Sequence, residues 1–387
     1  MEFFSHQTKF DFCGKFGLFG GLSLTAIIVS IVTISIWSMN YGIDFAGGYE
    51  IQATFPRDVQ EAEARQLLSP IGLTDLRLQR YGEAGRHEYL ILFREHGSMN
   101  AQDKVALKVD FGKLAGAESD LTTWSVAESG ESISAAFNQP VTEEQIREVL
   151  TRHGQVVKDI NRSERTDKPE YSIQLESLSD RIDTTLRKAF SVPAGTQMIS
   201  RVEFVGPQVG AQLRNQGLMA VFYAMFFMLI YVAVRFDFFF APGAIIALLH
   251  DTTVTIGAFA IFRLEFNLTV VAAVLALVGF SMNDTIVVYD RIRENAAKMR
   301  GSSMRAIVNA AVNQTLSRTI LTSGTAFLSA ISLLIFGGAT IREFAIATTI
   351  GIMVGTYSSV FIAAPVFILL HEHYDRRKSR APNAVTA

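Results

Sequence analysis

Residues 268–293 read LTVVAAVLALVGFSMNDTIVVYDRIR, and this stretch decides the fold. Its first part has the composition of any transmembrane helix. Asn283 and Asp284 then interrupt it, and the apolar residues Ile286, Val287 and Val288 resume before Arg291 and Arg293 close it. The Asp284 carboxylate is therefore placed inside a hydrocarbon-spanning segment and not at its end. A charge there costs about 2.5 kcal/mol even on the mildest scale, so it must face a protein interior or a water path.

Outward from this stretch the chain is segregated into apolar and polar blocks. Apolar runs of about 20 residues, the length of a membrane-spanning helix, fall at 16–39, 218–234, 239–262, 268–289, 319–336 and 344–370. The first run is too long for a signal peptide core of about 7–15 residues, and Trp37 and Tyr41 follow it as interface anchors. The spacing predicts an N-terminal segment 1–15, a first span 16–39, a soluble domain 40–206, a five-helix transmembrane domain 207–371 and a tail 372–387. Arg291, Arg293, Lys298, Arg300 and Arg305 share one loop, and Arg376, Arg377, Lys378 and Arg380 lie in the tail. By the positive-inside rule both termini and this loop face the cytoplasm, and the large domain lies across the membrane.

The soluble domain carries an internal repeat. Strand-like EYLILF at 88–93 is matched by EYSIQL at 170–175, each preceded by a strand, a helix and a strand. Thr142 and Gln145 fit a capping box. A helix at 178–190 and a strand at 198–205 complete an α+β pattern of ferredoxin-like type, enlarged by a duplicated unit. The stretch 97–130 is read as part loop, with a strand near 122–126. His87, His96 and His153 lack metal-ligand spacing. Neither a nucleophile–base pair nor a metal set is visible, so enzymatic chemistry and cofactors are not expected. A net charge of −2 without a clustered basic surface argues against nucleic acid. The single cysteine, Cys13, allows no internal disulfide.

Three ionisable groups form the intramembrane set. Besides Asp284, Asp251 lies beside His250 after the apolar run AIIALL, roughly 18 Å into its span. Arg318 is placed at the start of the fifth span, where it either snorkels to the cytoplasmic face or reaches inward to an acid such as Asp284, with Asn283 and His250 as supporting groups. Burial raises an aspartate's pKa and a nearby guanidinium lowers it. Such an acid can load a proton from one side and release it to the other, with Arg318, which does not deprotonate, as the moving counter-charge; a static ion pair between helices is the competing reading. Gly324, Ser329, Gly351 and Gly355 permit close helix contact.

These residues resemble a known family. YGIDFAGG at 41–48, VEFVGPQVG at 202–210, RFD at 235–237, LLHD at 248–251, GFSMNDTIVVYDRIRE at 279–294 and NQTLSRTI at 313–320 are similar to the SecF side of the SecD/SecF protein-export family. The resemblance implies half of an RND-type transporter in the bacterial inner membrane. Its second half is SecD, and it works beside the SecYEG channel, with YajC and YidC as further partners. It implies an ATP-independent role in which the proton-motive force, with sodium as the alternative coupling ion, promotes late translocation and release of unfolded preproteins at the periplasmic side. Asp284 and Arg318 match the family's essential acid and base, and Asp44, Gly47, Gly48, Gly206, Pro207 and Gly210 match its structural motifs. Ala46 replaces the family's usual small hydroxyl residue. The competing functions are an RND-like half-transporter for small molecules or lipids, and a non-transporting scaffold with structural buried charges.

Overall fold

The computed structural model describes residues 9–71, 73, 76–81, 85–93, 99, 101–114, 121–163, 169–193, 196–236, 240–338 and 340–380. His96, Gly97, Asp237 and Phe239 lie outside the described residues. The chain forms two compact units, Met1–Gly42 with Arg214–Ala387, and Ile43–Leu213.

Helix α1 (Phe16–Trp37) stops where Ser38 takes a φ of 56°. Arg263 donates from Nη1 to the Trp37 carbonyl at 2.7 Å, so a cation caps the negative end of the helix. A short α2 (Ile43–Ala46) then leads through Gly47, φ 76°, into the soluble unit.

Among its described residues that unit forms two four-stranded antiparallel sheets. The first contains β1 (Gly48–Thr54), α3 (Glu61–Leu68), β2 (Leu76–Tyr81) and β3 (Glu88–Phe93). Next come α4 (Ala101–Leu114), β4 (Leu121–Val126), β5 (Ser132–Phe137), α5 (Glu143–Arg152), β6 (Val157–Arg162) and β7 (Glu170–Leu175). α6 (Leu178–Phe190) and β8 (Ile199–Val205) return to the first sheet, whose order is β2-β3-β1-β8. This is a ferredoxin-like βαββαβ unit, β1-α3-β2-β3-α6-β8, interrupted between β3 and α6. The second sheet has the order β4-β5-β7-β6. It is the same arrangement with its last helix and strand moved to the front, so α4 and β4 stand where α6 and β8 stand in the first. The duplicated unit is thus a circular permutant inserted into its twin.

Each sheet has its own core. Tyr49, Ile51, Ile91, Leu68 and Ile182 fill the first, and Phe111, Phe137, Ile133, Ile146 and Ile173 the second. α4 corrects the loop reading of 97–130. Leu107 and Phe111, one turn apart, are its buried contacts, whereas Val105 and Val109 on the intervening positions are exposed. In sequence these four alternate at period two and mimic a strand. At α5 the capping box is present: Thr142 Oγ1 accepts from Gln145 N, and Gln145 Oε1 accepts from Thr142 N at 2.9 Å. Thr142→Ala is expected to cost about 1 kcal/mol, measured as a lowered unfolding midpoint of the full chain.

Asp110 on α4 bonds His153 at the end of α5 at 2.9 Å and Lys113 at 2.7 Å. The Lys113 ammonium and the His153 ring hold its carboxyl down at about 2. A depressed carboxylate stabilises the fold above the ordinary range near pH 4 and stops doing so as pH falls through the folded value. The protection of α4 amides, relative to their intrinsic exchange at each pH, is therefore expected to fall between about pH 4 and pH 2, and Asp110→Asn to remove that acid limb.

The membrane unit continues with α7 (Pro207–Arg235), α8 (Ala241–Ile261), α9 (Leu268–Lys298), α10 (Met304–Phe336) and α11 (Arg342–Ser358). A π-helical turn, Ser359–Ala363, leads into α12 (Ala364–Arg380). Among the described residues six helices are long and apolar enough to cross a membrane, α11 and α12 together making the sixth. The second span is longer than expected, since Pro207 at the first helical position starts α7 well before Leu218. The fifth also starts early. Ser303 Oγ caps α10 by accepting from Ala306 N, and Ile307, Val308, Ala311 and Val312 are buried before Thr319 is reached. Arg318 therefore lies in mid-helix, not at a span's beginning.

Candidate intramembrane acid site

α9 packs against α8, α10 and α11, and two of these contacts carry a carboxylate. Gly351 and Gly355 on α11 admit α9 closely: a Cβ on Gly351 would meet Leu277 Cδ2 at 2.8 Å, and one on Gly355 would meet Ser281 Cβ at 3.0 Å. The sequence reading of these glycines as a contact face agrees with this. Gly324 has nothing within 4 Å of an added Cβ.

The close approach brings hydroxyls onto Asp251, which is fully buried. Its Oδ2 accepts from Ser281 Oγ at 2.5 Å and Ser358 Oγ at 2.7 Å, and its Oδ1 lies 2.9 Å from His250 Nδ1. An ionised carboxylate has about four acceptor positions, and three are used here. Groups from three helices, α8, α9 and α11, converge on Asp251.

Asp284 is as deeply buried but less well served. Ser323 Oγ donates to Oδ2 at 2.9 Å. Thr322 Oγ1 lies 3.5 Å from Oδ1, and its single proton is also within reach of the Arg318 and Thr319 carbonyls at 3.0 and 3.1 Å. Asp284 thus has one good donor where Asp251 has three. Its site can accept a proton without breaking a completed shell. The two acids are joined through α9, because Ser281, the donor to Asp251, stands one turn before Asp284.

Among the described residues no ion pair within 4 Å joins Arg318 to Asp284, although the guanidinium lies close enough to act on that carboxylate through its charge. From Arg318 to Ser323 the helix turns by about 140° at 3.6 residues per turn, so Ser323 faces α9 while Arg318 is exposed on the flank. Asn283 is exposed as well, pointing away from Asp284's hydroxyl shell. His250 is where the sequence placed it, buried against Asp251. Ser281, Thr322, Ser323 and Ser358 escaped sequence reasoning; hydroxyl residues are common in membrane helices, and only the three-residue spacing from Ser281 to Asp284 carried a signal. Tyr289, also fully buried, donates to the Ala363 carbonyl in the π turn at 3.2 Å.

The structural-motif glycines lie elsewhere, at a joint in the soluble unit. A Cβ on Gly47 would meet Pro207 Cα at 3.0 Å, and one on Gly210 would meet Gly47 N at 3.1 Å. The two motifs, far apart in sequence, are one backbone-to-backbone contact. Asp44 lies in the first turn of α2 beside it, Gly48 opens β1 with φ 133°, and a Cβ on Gly206 would strike the Glu128 carboxylate.

Residues 185–373 match the family described as protein export membrane protein SecD/SecF, C-terminal. The protein translocase subunit SecF of Koribacter versatilis is 34% identical over 98% of this chain and 96% of its own. That of Calditerrivibrio nitroreducens is 35% identical over 96% and 97%. Both relatives are named for transport and not for catalysis. The crystal structure of SecDF from Thermus thermophilus superposes with a TM-score of 0.64 at 26% identity, covering 95% of this chain and 40% of the SecDF chain. A second SecDF crystal structure, in its super-membrane-facing form, gives 0.57 at the same identity, again over 40% of that chain. This chain therefore spans about two fifths of the SecDF protein's length. With such identity sustained over nearly the full length of its relatives, this multi-pass membrane chain belongs to the SecF family of protein translocase subunits.

Proposed function

We propose that the chain is the SecF half of a SecD–SecF pair that uses the proton-motive force to drive late, ATP-independent release of preproteins. It works beside SecYEG, with YajC and YidC as further partners, in the inner membrane, with both termini cytoplasmic and the soluble unit periplasmic. The observation that carries this reading is the under-satisfied Asp284 inside a membrane helix. Its single good donor, Ser323, leaves it able to cycle between charged and neutral forms, and a proton crossing the membrane yields about 2.3 kcal/mol per 100 mV. Arg318 and Asn283 support the pairing. Both are exposed on the bundle, where lipid would leave a guanidinium and an amide unsolvated. A second half seated there would cover them and bring Arg318 toward the acid as counter-charge. The proton is the coupling ion in this reading, and sodium is the alternative.

The test uses inside-out membrane vesicles holding the pair, with a preprotein arrested late in translocation and ATP removed. Imposing a proton gradient should complete translocation, and a protonophore should stop it. Completion that ignores the protonophore in a sodium-free medium would overturn the proposal.

A further inference from the structure

A cavity of about 620 Å³ lies between α1, α8 and the last spanning helix. Its walls include Gly17 and Gly20 of α1, Ile246, Phe361 and Leu369, and His250 is part of its lining. Gly17 and Gly20 face no neighbour: a Cβ on either would meet nothing within 4 Å. Further along, the same helix packs tightly, with Ser30 against Gly257 so closely that a Cβ there would lie 2.1 Å from Ser30 Oγ. α1 is thus in contact with α8 at one end and parted from it at the other. Cys13 and Arg305 stand at the parted end. The Arg305 side chain is 64% exposed and paired with Glu372 at 3.1 Å. A guanidinium so placed marks an end at the membrane surface.

His250 says what fills the cavity. The residue is 3% exposed, and Nδ1 is engaged by Asp251. Among the described residues Nε2 has no protein partner. A ring that donates Nδ1–H to a carboxylate presents Nε2 as an acceptor, and because His250 lines the cavity that acceptor is open to whatever the cavity holds. A lipid chain offers it nothing; water does. Resting on the proton-coupled reading, we propose that this cavity is a water-filled antechamber in which His250, paired with Asp251, takes up and returns a proton at Nε2. A hydronium gives its proton to the Nε2 lone pair, leaving water and an imidazolium whose Nδ1–H stays on Asp251; the reverse step returns the proton. Ser281 and Ser358 donate to the other carboxylate oxygen of Asp251, on the side away from the ring. The other titratable or charged groups around the ring are Tyr357, whose ring lies 6.2 Å away, and Cys13, Arg305 and Glu372 at the mouth. α9 contributes none to the cavity wall.

The test replaces Cys13, the only cysteine, with serine and adds single cysteines in the full chain assembled with its pair. Gly17→Cys and Gly20→Cys fit the open space. They should react with a small charged thiosulfonate at least tenfold faster than Leu22→Cys on the exposed side of α1. Equally slow reaction at all three would mean a dry void or a lipid chain and would overturn the proposal. Separately, His250→Gln should flatten the pH profile of gradient-driven release while Tyr357→Phe leaves its shape unchanged. A His250→Gln profile superimposable on the wild type would also overturn it. The labelling reads water and not export, so failure of the antechamber and failure of proton coupling are told apart.

Discussion

Asp284→Asn is expected to reduce gradient-dependent preprotein release at least tenfold, while the abundance of the chain and of its pair stays within about twofold. The argument turns on what the substitution keeps. An asparagine fills the same volume and can still accept from Ser323 Oγ, the donor 2.9 Å away. Its amide nitrogen replaces the oxygen facing Thr322. The Thr322 hydroxyl proton has carbonyls at 3.0 and 3.1 Å to go to, which frees its lone pair to accept from the amide. The folding cost is that of one rearranged hydrogen bond, about 1 kcal/mol. What is lost is the ability to change charge. Release measured in vesicles, with chain and pair quantified on the same membranes, decides it. Normal release with intact protein would move coupling away from Asp284. Disappearance of the pair would make the acid structural. Asp251→Ala should behave in that second way, because it strands Ser281, Ser358 and His250 without their acceptor in a buried site.

The same contrast shows what the sequence made legible. A carboxylate flanked by apolar residues on both sides could only be a buried acid, so Asp284 stood out at once. Its partners did not. Charge suggested Arg318, since a guanidinium is the obvious complement to a carboxylate, and the geometry supplied Ser323 instead. Which face of α10 meets α9 depends on where that helix starts and rolls, and its start at Met304 was hidden by the polar residues Asn309, Asn313, Gln314, Ser317 and Arg318. Asp251 was visible, but not that two serines from different helices converge on it, because their meeting depends on the glycine contact between α9 and α11. In the soluble unit the strands and capped helices were read nearly to the residue, since alternation and capping are local signals. α4 was missed because its apolar residues alternate, and only the tertiary core selects Leu107 and Phe111 as its buried pair. The circular permutation could not be read from a repeat of strand motifs, because it is a property of pairing.

Gly47→Val and Gly210→Val are each expected to make the soluble unit of the full chain susceptible to protease under conditions where the wild type is intact. For Gly47 two costs combine. Its φ of 76° is costly for any side chain and most for a β-branched one, by about 1–3 kcal/mol. Its Cβ would also press on Pro207 Cα and N at 3.0 and 3.1 Å and on the Val205 carbonyl at 3.2 Å. These are backbone atoms and cannot swing aside, so overpacking adds about 1–3 kcal/mol more. Gly210 has no positive φ and isolates the contact: its Cβ would lie 3.1 Å from Gly47 N and 3.2 Å from the Phe45 carbonyl. Gly154 isolates the conformation, with φ 70° and nothing within 4 Å. Gly154→Ala should therefore show the strain alone, Gly210→Ala the contact alone, and Gly47→Ala roughly their sum. Because Gly210 presses on Gly47 itself, opening the joint from one side relieves the other. The Gly47→Ala, Gly210→Ala pair should thus cost less than its two parts added, by more than the 0.5 kcal/mol scatter expected of independent sites. Strict additivity in a chemical unfolding series would mean that the two glycine motifs, far apart in sequence, do not act as a single joint.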